Sequence, residues 1–132
     1  MLSIRTYFGR FYDHKEKTEE VTKNATKLVA KASLLLSHFG EDRICTSGFR
    51  PSSYNKQIGG SPNSLHCRGL AIDLWDFDKK LGLWCKANEN LLEELGLYLE
   101  DLSVTHAGDN PNKYWVHAQI VPPRSGKRWF IP

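Results

Sequence analysis

A single apolar stripe constrains this chain more than any other feature. Val21, Ala25, Leu28, Val29, Ala32, Leu35, Leu36 and Phe39 recur at helical spacing. Gly40 follows where a helix C-cap belongs. Asp13 with Glu16 three residues later resembles a capping box, so the pattern predicts one helix from about Asp13 to Phe39. A stripe of that length is scaffold and needs a second layer to bury it. His14 then falls in the first turn and His38 in the last, where a cation suits the helix dipole.

The rest of the chain supplies candidates for that second layer. Arg43 to Thr46 suits a short strand, and Ser47-Gly48 turns the chain. Pro51 opens a short helix that runs through Tyr54 to Ile58. Gly59-Gly60-Ser61-Pro62-Asn63 is a loop by composition. Leu70 to Trp75 reads as a strand. A second helix is predicted from about Lys79 to Leu95, with Leu81, Trp84, Leu91, Leu92 and Leu95 inward and Gly96 ending it. Leu97 to Glu100 reads as a further strand, Ser103 to Lys113 as a polar loop, and Tyr114 to Val121 as a strong strand stopped by Pro122-Pro123. The last residues read as an irregular basic and aromatic tail. Helices and strands interleave unevenly, which predicts an α+β fold with a small, mainly antiparallel sheet and flanking helices. The 132 residues suit one domain, 1–132, with no linker or repeat.

Charge and cysteine content narrow the function classes. The net charge of +3 is a mild bias, and the one basic cluster, Arg124, Lys127 and Arg128, reads as a solvated tail, so no nucleic-acid partner is expected. A basic nucleic-acid-binding domain is the weakest of the readings considered. The three cysteines, Cys45, Cys67 and Cys85, have no metal-ligand spacing and are expected to be reduced thiols. Met1 to Arg10 holds no apolar stretch of signal-peptide length, and no run reaches the ~18 apolar residues of a membrane span. The expectation is a soluble chain made in the cytoplasm, without membrane insertion, and a monomer by default.

The chemistry concentrates in Ser64-Leu65-His66-Cys67-Arg68-Gly69-Leu70-Ala71-Ile72-Asp73. A histidine closes a glycine-rich loop and a carboxylate follows within a strand. Zinc accepts both donor types, and catalytic zinc sites keep three protein ligands and an open position. Trp115-Val116-His117-Ala118-Gln119 offers the third ligand. Strand alternation puts Ala71, Asp73 and Trp75 on one face, and Trp115, His117 and Gln119 on one face of the later strand. Paired strands then point Asp73 and His117 into one cleft. Spacing leaves a second reading open, since a strand aspartate is often a hydrogen-bonded structural residue and a strand histidine is often held by hydrogen bonds alone. Cys67 is expected to point away from His66.

The ordered series Thr46-Ser47-Gly48-Phe49-Arg50-Pro51, Tyr54-Asn55, Gly59-Gly60, Ser64, His66, Gly69, Ala71 and Asp73, with Trp115, His117 and Gln119, resembles the signature of zinc D-Ala-D-Ala carboxypeptidases and phage L-alanyl-D-glutamate endolysins. These share the fold of the hedgehog signalling domain, and the chain resembles most the short, single-domain phage members. The resemblance implies one zinc ion at His66, Asp73 and His117. It implies that Arg50 reaches toward a substrate carboxylate or carbonyl, a role that suits the planar guanidinium fork. Ser64 and Trp115 are candidate substrate contacts, with Trp75 beside Trp115; a loop hydrogen bond for Ser64 and core packing for the tryptophans are the alternatives. The implied partner is the stem peptide of bacterial peptidoglycan, and the implied place of action is the cell wall once the protein is released.

The pattern departs from the family at one position. Much of the family carries Asp or Glu three residues before the last zinc histidine, where this chain has Tyr114. A hydrolase of this type needs a general base. Glu100 is the first replacement candidate, Asp109 the second and Asp101 the third, while His106 is either a proton carrier or oxyanion donor, or a plain loop histidine. The leading expectation is therefore a zinc peptidase, endopeptidase or D,D-carboxypeptidase. The alternative is a zinc-containing wall-binding or virion module that has lost its base.

Overall fold

The computed structural model describes residues 1–132, with the side chain of Pro111 excepted. Helices α1 (Ile4–Phe8), α2 (Glu19–Phe39), α3 (Ser52–Gln57), α4 (Lys80–Ala87) and α5 (Glu89–Leu95) accompany strands β1 (Cys45–Ser47), β2 (Ala71–Trp75), β3 (Tyr98–Glu100), β4 (Trp115–Gln119) and β5 (Trp129–Phe130). The strands form one sheet in the order β1-β2-β4-β3-β5. Every neighbouring pair is antiparallel except β3 with β5. The fold is α+β, as the mixture of periods predicts. No described helix is long and apolar enough to cross a membrane.

Helix α2 is the expected scaffold. Its stripe from Val21 to Leu36 is buried, and it shares one core with Ile72 and Leu74 of β2, Leu99 of β3, and Val116 and Ala118 of β4. Each leucine, isoleucine or valine among them contributes roughly 1.5–3 kcal/mol when fully buried. The other face of β2 and β4 is thereby left for polar residues. Gly40 ends α2 in the left-handed conformation at φ 94°, with its N–H donating to the Leu36 carbonyl.

Four local expectations need correction. Helix α2 begins at Glu19, capped by Thr18, and not at Asp13. The Glu16 carboxylate instead accepts from the backbone N–H and hydroxyl of Ser52, at 3.0 and 2.7 Å, and so ties the N-terminal segment to the start of α3. His14 lies outside the helix, and its Nδ1 accepts from the Glu16 N–H. The predicted helix from Lys79 to Leu95 is two helices parted at Asn88, whose side chain donates to the Trp84 carbonyl and competes with the helical ladder. The tail is not wholly irregular, because Trp129 and Phe130 form β5 beside β3.

Two further features lie outside what periodicity predicts. Residues 4–8 form a helix started by a reciprocal Ser3–Thr6 capping box, and it buries Tyr7 and Phe8. Asp76, directly after β2, accepts from the N–H groups of Leu81 and Gly82 at 3.0 and 2.8 Å. Its carboxylate thus satisfies first-turn donors of α4.

Candidate metal centre

Pairing of β2 with β4 creates the site. The register sets Asp73 opposite His117, and both side chains lie on the face away from the core. His66 arrives from the short 3-10 turn Leu65–Arg68 that precedes β2. The Ser64 hydroxyl accepts from the His66 N–H at 3.2 Å and caps that turn. Gly69 closes it at φ 73°, a conformation that favours glycine.

Each imidazole is oriented by a hydrogen bond on its far nitrogen. Nδ1–H of His66 donates to the Gly48 carbonyl at 2.8 Å, which leaves Nε2 facing Asp73 Oδ1 at 3.4 Å. Gly48 itself sits against the Tyr7 carbonyl, and a Cβ there would overlap that oxygen. His117 is turned the other way. Its Nε2–H donates to Gln119 Oε1 at 2.8 Å, and the Gln119 amide donates to the Val121 carbonyl at 2.7 Å. That second bond fixes which end of the amide faces His117. Nδ1 of His117 then lies 2.9 Å from Asp73 Oδ1.

One ligand atom from each of His66, Asp73 and His117 lies within 4.8 Å of the others. The three donors fit a zinc ion: two imidazole nitrogens and a carboxylate, with the distal imidazole nitrogens already bonded to acceptors, as metal-ligating histidines require. Burial by itself would raise the Asp73 carboxyl, but the His66 charge and the hydrogen bonds from His117 and His66 outweigh it. Asp73 is held well below the usual carboxylate range. Burial would also lower His117, and the hydrogen bond and charge of Asp73 more than offset it, so His117 is raised.

A cavity of about 340 Å³ opens over these atoms. Arg50, Ser64, Glu100 and Trp115 line it beside the ligands. The Arg50 guanidinium is fixed by Ser47 Oγ at 2.9 Å and Asn55 Oδ1 at 3.2 Å, and its Nη2 stands 3.5 Å from Asp73 Oδ2. Asn55 is held in turn by donating to the Ser61 carbonyl at 2.7 Å. Gly60 packs against the Asn55 amide so closely that a Cβ would overlap it. Glu100 enters from β3, with Oε2 at 4.0 Å from His117 Nδ1. Burial pushes the Glu100 carboxyl above its ordinary value, against the pull of His117 and with the help of Asp73.

The other sequence candidates lie elsewhere. Asp109 is exposed in the loop before β4, and Asp101 accepts from the Ser103 N–H at 2.9 Å; neither lines the cavity. His106 stacks on Tyr114 with ring centroids 5.3 Å apart, also outside it. Tyr114 carries Lys79 Nζ over its ring at 4.3 Å and faces away from the donors. Trp75 donates to the Asn112 carbonyl at 3.1 Å and does not line the cavity, whereas Trp115 does.

Sequence reasoning assigned no role to Ser47, Asn55 or Gln119. Gln119 had a signal, since alternation puts it on the face of His117 two residues away. Gln119→Leu is expected to weaken zinc binding by about 10–100-fold by freeing the His117 ring. Competition with a metal-sensitive dye measures this, and unchanged affinity would remove Gln119 from the support of the site.

A histidine–aspartate–histidine donor set on a sheet face, open to a cavity that also holds a carboxylate and a guanidinium, defines a class: a hydrolytic centre of the metallopeptidase type. The model of the peptidase M15 family matches residues 8–108, and the chain belongs to that family, whose members are zinc-dependent. The matched span includes Arg50, His66, Asp73 and Glu100, while His117 lies beyond it and is brought in by the β2–β4 register. No curated protein matches the chain, and no solved structure does.

Proposed function

We propose that this chain is a zinc-dependent peptidase that hydrolyses amide bonds in the stem peptides of bacterial peptidoglycan. The observation that carries the reading is the convergence of His66, Asp73 and His117 with Arg50 and Glu100 around one cavity. Membership of the peptidase M15 family supports it. His66, Asp73 and His117 would hold the zinc ion, which would supply Lewis acidity to polarise a carbonyl and to bring the pKa of water toward ~7.

The protein's own groups do the rest. Glu100 accepts the proton of the attacking water and returns it to the departing amine nitrogen. Its raised carboxyl suits both steps, since a base must later act as an acid. Arg50, with three donors already engaged by Ser47, Asn55 and Asp73, keeps two N–H groups for a substrate carbonyl or carboxylate. Trp115 supplies an apolar wall. The open cavity admits substrate from the side opposite the core.

A second reading rests on Tyr114, which places no carboxylate three residues before His117. On that reading the protein binds zinc and cell-wall peptide, or serves in a virion, without catalysis. Digestion of purified peptidoglycan by zinc-loaded protein, with and without a chelator, separates the two. The peptidase reading expects chelator-sensitive fragments whose masses name the bond cut. Stoichiometric zinc with no fragments would overturn it in favour of the binding module.

A further inference from the structure

We propose that the C-terminal strand β5 is a working part of the site, with Phe130 as the positioning residue that holds Glu100 and the His117 ring over one cavity. The proposal rests on the peptidase reading for what Glu100 does, and it adds which residue keeps that carboxylate in place.

Strand pairing is the first ground. Glu100 ends β3, and the register of β3 with β4 covers Tyr98 and Leu99 alone. Glu100 is registered instead with Phe130 of β5. The backbone on either side of Glu100 is tied to the tail. The Leu99 N–H donates to the Arg128 carbonyl at 2.8 Å, and the Asp101 N–H donates to the Phe130 carbonyl at 2.7 Å. Without β5, Glu100 would stand at the unpaired end of a strand of 3 residues. Strand ends with few contacts are the first parts of a fold to open. The tail is itself anchored. Arg128 Nη1 donates to the Leu97 carbonyl at 2.9 Å, and its guanidinium lies over the Tyr98 ring at 4.3 Å. Trp129, opposite Leu99, packs against the core.

Side-chain placement is the second ground. Successive strand residues point to opposite faces, so Trp129 toward the core leaves Phe130 on the cavity face with Glu100. Phe130 is only 8% exposed, yet it stands outside the core cluster against which Trp129 packs. It is buried at the site instead. It lines the metal pocket with Glu100 and His117, and its ring meets the His117 imidazole edge-on, with centroids 6.2 Å apart and planes at 84°. Gln119 holds the far nitrogen of His117, while Phe130 bears on the flank of the ring. Together they keep Nδ1 turned to Asp73. Phe130 lies beyond residues 8–108 of the family match.

The test uses the zinc-loaded full chain and a synthetic stem peptide. Phe130→Ala is expected to lower kcat per bound zinc about 10–100-fold, with KM within about threefold of wild type. Zinc affinity, read by competition with a metal-sensitive dye, should fall about 10-fold. Phe130→Leu keeps apolar bulk but shortens the reach to His117, and it should fall between Phe130→Ala and wild type on both readouts. Where Phe130→Ala does not fold, Phe130→Leu carries the comparison, and wild-type values in it would overturn the proposal. A loss of rate that disappears when counted per bound zinc also overturns it, because tail packing alone accounts for that. A rise in KM with kcat unchanged would make Phe130 a wall for substrate and not a positioning residue. A wild type that binds zinc and cuts nothing removes the peptidase reading and the role toward Glu100. Affinity then decides the hold on His117: a weaker variant keeps it, and an unchanged one removes it.

Discussion

Glu100→Gln is expected to lower turnover by about 10²–10⁴-fold while zinc content stays at the wild-type level. The split follows from position. Glu100 stands outside the three-residue donor set, with Oε2 4.0 Å from His117 Nδ1, so its charge is not needed to hold the metal. It is the remaining carboxylate that lines the same cavity. Glutamine keeps the shape and loses the ability to take a proton. The pH profile provides a second readout. Glu100 accepts a proton only when ionised, so the rate should rise with pH as its carboxyl titrates, and that limb should disappear in the variant. Burial raises this carboxyl, which sets the limb above the ordinary glutamate range unless a bound cation draws it back. Activity within twofold of wild type would place the base elsewhere.

Tyr114 shows how far local sequence could be read. Tyr114 stands three positions before His117, an odd offset, so on an extended strand the two point to opposite faces. The ring accordingly stacks on His106 and lies outside the cavity. Glu100 reaches the site through pairing, since β3 lies beside β4 with Leu99 opposite Ala118. Periodicity made the α2 stripe legible and alternation made the shared face of Asp73 and His117 legible. The partner of each strand is a non-local fact, and periodicity is silent on it. The same holds for the supports of the site. Gly48 holds His66 across a separation of 18 residues, and nothing near either residue announces the bond. The false capping box at Asp13 and Glu16 failed for a related reason, because the Glu16 carboxylate found better donors at Ser52. The break at Asn88 was legible in principle, since asparagine competes with the helical backbone, but the flanking leucines keep one period across it.

Asp73→Ala is the most damaging single change the structure predicts, and it acts on metal and fold together. Asp73 is the one anionic ligand, and it also faces Arg50 at 3.5 Å and both imidazoles. Its loss is expected to abolish stoichiometric zinc binding. It also leaves the largely buried Arg50 charge without its carboxylate, at a cost of about 3–5 kcal/mol. Equilibrium denaturation of the metal-free proteins would measure the second effect, and pH gives it a signature. The folded carboxyl of Asp73 is depressed, so its contribution is present above the ordinary aspartate value of ~3.9 and is lost as pH falls through the folded value. His117 is raised, so its contribution is present below ~6.5 and is lost as pH rises through its folded value. The metal-free wild type should therefore gain most from this pair between those limits, and Asp73→Ala should flatten the profile there. Zinc reverses the preference for His117, because metal and proton compete for Nδ1, and affinity should climb with pH as that proton leaves. A variant that kept its zinc, or an unchanged stability profile, would mean that Asp73 is neither ligand nor counter-ion to the cluster around it.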